Sequence, residues 1–248
     1  RQIHLELTRT GHRVSLASVS RWLVRLGISR RRDIDPDGST NRTRRPITAR
    51  YPGHMVHLDV KKVGRIPDGG GWRAHGRGSA ADKAAQRAKT KGARAGYVYL
   101  HSAVDGYSRL AYTEHLPDET ARTTIGFFHR ARAFFAAHGI HRIVRVITDN
   151  GSNYKAHAFT RTVTAVASRH QRIRPHTPRH NGKVERYNRI LAEELLYARI
   201  WTSEAERAEA IKTWNIHYNY HRSHTAAGDR PPASRLRTGV TNVMSQNT

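Results

Sequence analysis

The chain of 248 residues contains no cysteine, which excludes a disulfide scaffold and any cysteine-based zinc site. It also lacks a long apolar span and an amphipathic basic helix, so a membrane partner is not expected. No secretory leader is visible, which makes the cytoplasm the expected location. Acids are scarce, 19 Asp and Glu against 44 Lys and Arg, for a formal net charge of +25. Lysine is scarce as well, contributing eight of those cations. Arginine therefore carries the charge, and its planar fork can clamp a phosphate with two hydrogen bonds at once. A GC-rich genome would give the same arginine bias. Either way, the field of the chain favours a polyanion. The chain begins at Arg1 rather than Met, which reads as a fragment, a processed form or a truncated gene.

Composition shifts along the chain divide it into four parts. Residues 1–28 read as a partial helix-turn-helix. Ser15 caps a helix in which Leu16, Val19, Leu23 and Leu26 recur at helical spacing, and Arg21 and Arg25 lie on the other face, as in a recognition helix. The plainer alternative is an amphipathic helix with a solvated basic face. Residues 29–53 form a basic linker with Arg30-Arg31-Arg32 and Arg44-Arg45-Pro46 and no apolar period. Residues 54–199 read as an α/β core, interrupted at 64–95 by a basic, glycine-containing insertion expected to be a flexible loop. Residues 200–248 supply a helix near 203–219 and a basic tail.

Within the core, Val56, Leu58 and Val60 alternate with His57, Asp59 and Lys61, the period of a strand with one apolar face. Two further strands, Tyr97–Val104 and Arg109–Leu116, flank a turn at Asp105-Gly106. Asp118 is expected to cap a helix bearing Ile125, Phe127, Phe128, Phe134 and Phe135, which Gly139 ends. The run Ile143–Ile147 reads as a strand buried on both faces. Helices are expected over 154–169 and 182–199.

Three acids stand out against this background. Asp59 sits in a buried strand yet points opposite to its apolar neighbours. Asp149 closes an apolar strand before the tight turn Asn150-Gly151-Ser152, at the rim where open α/β sheets place ligands. Glu185 lies in the first turn of a helix, and Arg189, one turn on, offers it a surface ion pair as the plainer reading. Thirty-five residues separate Asp149 from Glu185. Three carboxylates gathered together repel one another unless a cation sits among them, and hard oxygen donors suit magnesium or manganese. Two such ions serve an in-line displacement at a phosphodiester.

Four elements appear in order: His57-Leu58-Asp59-Val60-Lys61-Lys62, Val104-Asp105-Gly106-Tyr107-Ser108-Arg109, Thr148-Asp149-Asn150-Gly151-Ser152 and Asn181-Gly182-Lys183-Val184-Glu185-Arg186. Together they resemble the DDE catalytic core shared by retroviral integrases and bacterial insertion-sequence transposases. The closing Tyr218-Asn219-Tyr220-His221-Arg222-Ser223-His224-Thr225 resembles the C-terminal signature of those transposases. The resemblance implies a ribonuclease H-like fold, a mixed five-stranded sheet flanked by helices. It also implies a bacterial, nucleoid-associated enzyme that cleaves the terminal repeats of a mobile element and joins the 3′ hydroxyls to target DNA, acting as a homo-multimer. Asp59, Asp149 and Glu185 carry over as the catalytic residues and as ligands of two magnesium or manganese ions. Asn181 and Lys183 carry over as candidate DNA contacts, to which Arg186 and Arg189 would add phosphate contacts, with ion pairing on the helix surface as their plainer reading. Arg21 and Arg25 of the helix-turn-helix are further candidates. Two positions depart from the family pattern: Arg179-His180 replaces Gln-Thr, and Ser223 replaces a proline.

Two other readings compete: a non-catalytic DNA-binding protein, decayed or domesticated, and a structure-selective nuclease that cuts without joining. His217, His221 and His224 also lie close in sequence, but without cysteine a structural or DNA-facing role is the better reading than zinc.

Overall fold

The computed structural model describes residues 2–34, 48–90, 96–174 and 181–236. Expectations for linker residues 35–47, for 91–95, for the loop 175–180 with its Arg179-His180, and for the tail beyond 236 lie outside the described residues. The chain divides into two compact units, residues 1–47 and 48–248.

The first unit contains helices α1 (Gln2–Arg9), α2 (Leu16–Arg25) and α3 (Arg31–Ile34). Ser15 caps α2, its hydroxyl accepting from the Ser18 N–H at 3.0 Å. Of the apolar residues spaced for burial on α2, Val19 is buried, whereas Leu16 and Leu26 are exposed.

The second unit is built on one sheet. In chain order it contains β1 (Met55–Gly64), α4 (Trp72–His75), α5 (Ala80–Thr90), β2 (Tyr97–Asp105), β3 (Ala111–Leu116), α6 (Ala121–Ala137), β4 (Arg145–Thr148), α7 (Ser152–Lys155), α8 (His157–Ala165), β5 (Arg169–Arg172), α9 (Gly182–Leu191) and α10 (Glu204–Tyr220). A π-helical turn, Ala192–Leu196, continues α9. The strand order is β3-β2-β1-β4-β5, with β2 antiparallel to both β1 and β3 and with β4 and β5 parallel to β1. This is the mixed five-stranded, ribonuclease H-like sheet flanked by helices.

Both sheet faces are covered, and each has its own core. Val56 and Leu58 of β1 join Phe127, Phe128 and Phe135 of α6 and Phe159 of α8 on one side. On the other, Val63, Leu100 and Ala111 meet Val184, Tyr187 and Leu191 of α9 and Trp214 and Tyr218 of α10. The alternation along β1 thus sends its even positions to α6 and its odd positions, Asp59 among them, toward α9.

Several boundaries differ from those read in the sequence. The cap of α6 is Thr120, which accepts from Thr123 N–H, while Asp118 instead accepts from Thr120 N–H at 2.8 Å. The helix expected over 154–169 is split at Ala156 into α7 and α8, and its last residues turn into β5. The strand β5 reads Arg-His-Gln-Arg and has no apolar period to announce it. The first part of the 64–95 insertion is anchored and carries α4 and α5: Ile66 N–H donates to Glu204 at 2.7 Å, and the buried Arg207 donates to Gly64 O at 2.8 Å. Among the described residues, no helix is long and apolar enough to cross a membrane.

The outer edge of β3 would template pairing with another chain. Two asparagines of α10, one turn apart, close it. Asn215 spans Thr113, accepting from its N–H at 3.1 Å and donating to its O at 2.8 Å. Asn219 does the same at Ala111, at 2.9 and 2.7 Å. The Asn of the Tyr218-Asn219 signature is therefore a side-chain substitute for a sixth strand. Replacing Asn219 by alanine strands a buried N–H and C=O and is expected to cost about 3 kcal/mol in urea unfolding; a loss below about 1 kcal/mol would contradict this role.

Candidate functional site

The site is assembled from two neighbouring strands and the helix laid across them. In the parallel β1–β4 pair, Met55, Val56 and His57 face Arg145, Val146 and Ile147. The same offset continued two residues aligns Asp59 with Asp149, on strands about 4.8 Å apart. Asp149 follows the last residue of β4, and its Oδ1 accepts from Gly151 N–H at 2.9 Å. A Cβ at Gly151 would come within 2.6 Å of Asn153 Oδ1 and 3.1 Å of Asp149 Oδ1, so any larger residue would have to displace these two side chains. Asn150 ties the turn to the end of β5 by donating to Ile173 O at 2.9 Å.

Helix α9 carries Glu185 and is held to β1 by two asparagines. Asn181, 1% exposed, donates to Leu58 O at 3.0 Å and accepts from His57 Nδ1 at 3.2 Å. Asn188, two turns later, donates to Asp59 Oδ2 at 2.8 Å and accepts from Ser102 Oγ at 2.9 Å. A buried chain of hydroxyls continues from Ser102 to Thr113 at 3.0 Å and back to Tyr187 of α9 at 2.7 Å.

Burial raises the pKa of Asp59 to about 6; the Asn188 hydrogen bond opposes the rise, and the Asp149 and Glu185 carboxylates add to it. Burial also raises Glu185, with Arg189 opposing and Asp149 adding. The three acids therefore share one electrostatic neighbourhood. Asp59, Glu185, Asn188 and Arg189 line a common open cleft of about 640 Å³. Yet among the described residues no three His, Asp or Glu side chains stand close enough together to hold a metal ion. The donor set is all carboxylate oxygen, which suits a hard divalent cation in kind.

The cations expected to contact DNA are distributed unevenly. Arg189 lies in the cleft with Asp59 and Glu185. Lys183 and Arg186 border a different cleft, with Arg109, Arg222 and His224. Burial lowers the pKa of Lys183, and the nearby Arg109 lowers it further. Asn181 corrects the sequence reading: its amide is buried and spent on β1, so its side chain positions α9 instead of facing DNA. Arg21 and Arg25 belong to the first unit and are exposed; Arg25 lies over Trp22, 5.4 Å from the ring centroid.

Sequence reasoning missed three participants. Asn188 was legible as the residue one helical turn after Glu185, on the same face. His57 lies opposite Asn181, and burial lowers its pKa to about 3, so it stays neutral. Asp105 read as a turn residue, but its carboxylate is buried and gathers the N–H groups of Gly53, Tyr107 and Ser108 at 2.8, 3.1 and 2.6 Å.

Two integrase core domain models match the chain, one over residues 49–178 and the other over 167–232. The first alone covers 130 of the 248 residues and contains Asp59 and Asp149; the second contains Glu185. The chain belongs to the integrase core domain family. An uncharacterized protein of insertion element IS476 from Xanthomonas euvesicatoria is 35% identical to this integrase core over 95 residues, 38% of this chain and 27% of that protein. The retrovirus-related Pol polyprotein from transposon TNT 1-94 of Nicotiana tabacum is 28% identical over 100 residues, 40% of this chain and 7% of the polyprotein. The chain thus matches about a quarter or less of the length of these curated relatives. Among solved structures, the simian T-cell lymphotropic virus intasome aligns with a TM-score of 0.58 at 20% identity, covering 79% of this chain and 59% of that one. That likeness is one of fold.

The raised Asp59 gives a pH signature. Its folded pKa lies above the ordinary 3.8, so the protonated form favours folding, and that contribution is lost as pH rises through about 6. In chelator, Asp59→Asn is expected to stabilise the protein above pH 6 by at most about 3 kcal/mol, with the gain fading toward pH 4. Denaturant unfolding across that range tests this; a substitution that destabilises at neutral pH would contradict it.

Proposed function

We propose that this integrase core is a DDE-type transposase that cleaves the terminal repeats of a mobile element and joins the 3′ hydroxyls to target DNA. The observation that carries the reading is the parallel β1–β4 register, which, continued two residues past His57 and Ile147, brings Asp59 level with Asp149 just beyond the end of β4, with Glu185 on the helix that Asn188 ties to Asp59. Asp59, Asp149 and Glu185 are the residues that would hold two magnesium or manganese ions. When bound, such ions stabilise charge at the phosphodiester and lower the pKa of the attacking hydroxyl.

The rest of the work falls to the protein. Asn188 fixes the Asp59 carboxylate in one orientation, and Asn181 sets the start of α9 against β1. Arg189 beside the acids, and Lys183 and Arg186 on the neighbouring flank, bind backbone phosphates, which place the scissile bond without reading sequence. Arg21 and Arg25 read the terminal repeat from α2 in a major groove. Joining two ends calls for a homo-multimer on DNA. The competing reading, a DNA-binding protein without catalysis, draws on the spacing of the acids, which do not close to ion-holding distance among the described residues.

The two readings separate on duplex DNA carrying the element's terminal repeats. The first predicts nicking and joining that require magnesium or manganese. Asp149→Asn and Glu185→Gln should each reduce the rate by at least about a hundredfold, and Asn188→Ala by about 10- to 100-fold, with DNA binding retained. Metal-independent cleavage, or full activity in Asp149→Asn, would overturn it.

A further inference from the structure

A second surface adjoins the carboxylate cleft. Trp72 and Tyr197 are large aromatic residues left 44% and 55% exposed. The Arg73 guanidinium lies 5.5 Å from the Trp72 ring centroid and 5.0 Å from that of Tyr197, and Arg77 lies 4.8 Å from Trp72. Arg73 and Arg77 are themselves exposed, on side chains long enough to reach outward. On the neighbouring strand edge, Lys62 sits 4.3 Å over the exposed ring of Tyr97.

The backbone that carries each ring is anchored. Gly70 has φ +83°, and a Cβ there would come within 2.7 Å of Ala74 Cβ and 3.0 Å of Trp201 O, so the glycine turn is pressed onto the core. Trp72 follows two residues later, after Gly71. The π-helical turn Ala192–Leu196 ends at Tyr197 and sets that ring on the rim. Between them runs a cleft of about 350 Å³ lined by apolar groups and by Arg65, Arg73 and Arg207, with no acid in its wall. Tyr197 also borders the cleft that holds Asp59 and Glu185, so the two clefts share this ring as a common wall.

Exposed aromatic faces interleaved with arginines match one kind of ligand, a strand whose bases stack while its phosphates pair with guanidinium groups. A duplex presents only base edges in its grooves, so the bases concerned must be unpaired. We propose that Trp72 and Tyr197 form a stacking platform for unpaired bases of the DNA strand whose phosphodiester lies at the carboxylates, with Arg73 and Arg77 taking its phosphates. The inference rests on the DNA substrate proposed above and adds a strand-separated segment beside the site.

The test is fluorescence anisotropy with a labelled single-stranded oligonucleotide, a forked duplex and a blunt duplex of the same sequence. Trp72→Ala and Tyr197→Ala should each weaken binding of single-stranded and forked DNA by roughly tenfold and leave the blunt duplex unchanged, and Trp72→Phe should restore most of the affinity. Unchanged binding of forked DNA by both variants would overturn the platform while leaving the transposase reading intact, provided the terminal-repeat duplex is still cut. Equal losses on forked and blunt DNA would also overturn it, as a general effect of charge or fold. If the wild-type protein binds no DNA in any form, both proposals fall.

Discussion

The pinning of α9 to β1 by Asn181 and Asn188 is the constraint on which the site depends. The two amides stand two helical turns apart and engage successive residues of one strand: His57 and Leu58 at one end, Asp59 at the other. Glu185 lies between them on the helix, so its position over the sheet is set by contacts it does not itself make. An amide buried without partners costs about 1–3 kcal/mol. Sliding α9 along β1 would break both sets at once. The same bonds that stabilise the fold therefore fix the helix that carries Glu185 against the strand that carries Asp59.

Electrostatics and packing pull against each other at this point. A chain of net charge +25 places three of its few acids within mutual influence and buries one of them until its pKa approaches 6. An ionised Asp59 opposes folding near neutral pH, a strain of the kind that active sites store and the surrounding structure offsets. The offset comes from two apolar cores, one on each sheet face, and from the closed edge of β3. Asn215 and Asn219 supply to that edge the hydrogen bonds that an added strand would supply. The strongest internal commitment of the C-terminal signature is thus structural.

Much of the sheet was legible because its signals are periodic. The two-residue alternation of Val56, Leu58 and Val60 gave β1 its apolar face and set Asp59 on the opposite one. Asp149 at a strand end and the Ser15 cap were visible for equally local reasons. Elements that depend on distant partners were not. The strand β5 is written in polar residues because pairing with β4 alone recruits it. Thr120 takes the α6 cap two residues beyond Asp118, a choice the sequence leaves open. The insertion looked loose because its apolar content is low, yet Gly70 and Ile66 dock it through close backbone approach, which composition does not register. Asn181 looked like a loop residue available to DNA; only the fold shows that its amide faces inward. Asn188 carried no motif of its own, and its part follows from a helical turn counted from Glu185.

The central claim is that Asp59, Asp149 and Glu185 act as one divalent-cation site. The most direct measurement is calorimetric titration of manganese into the wild-type protein and into Asp59→Asn, Asp149→Asn and Glu185→Gln at fixed salt. The account predicts saturable binding by the wild type and at least about tenfold weaker binding by each variant. Binding by Glu185→Gln indistinguishable from wild type, or no binding by the wild type at all, would contradict it.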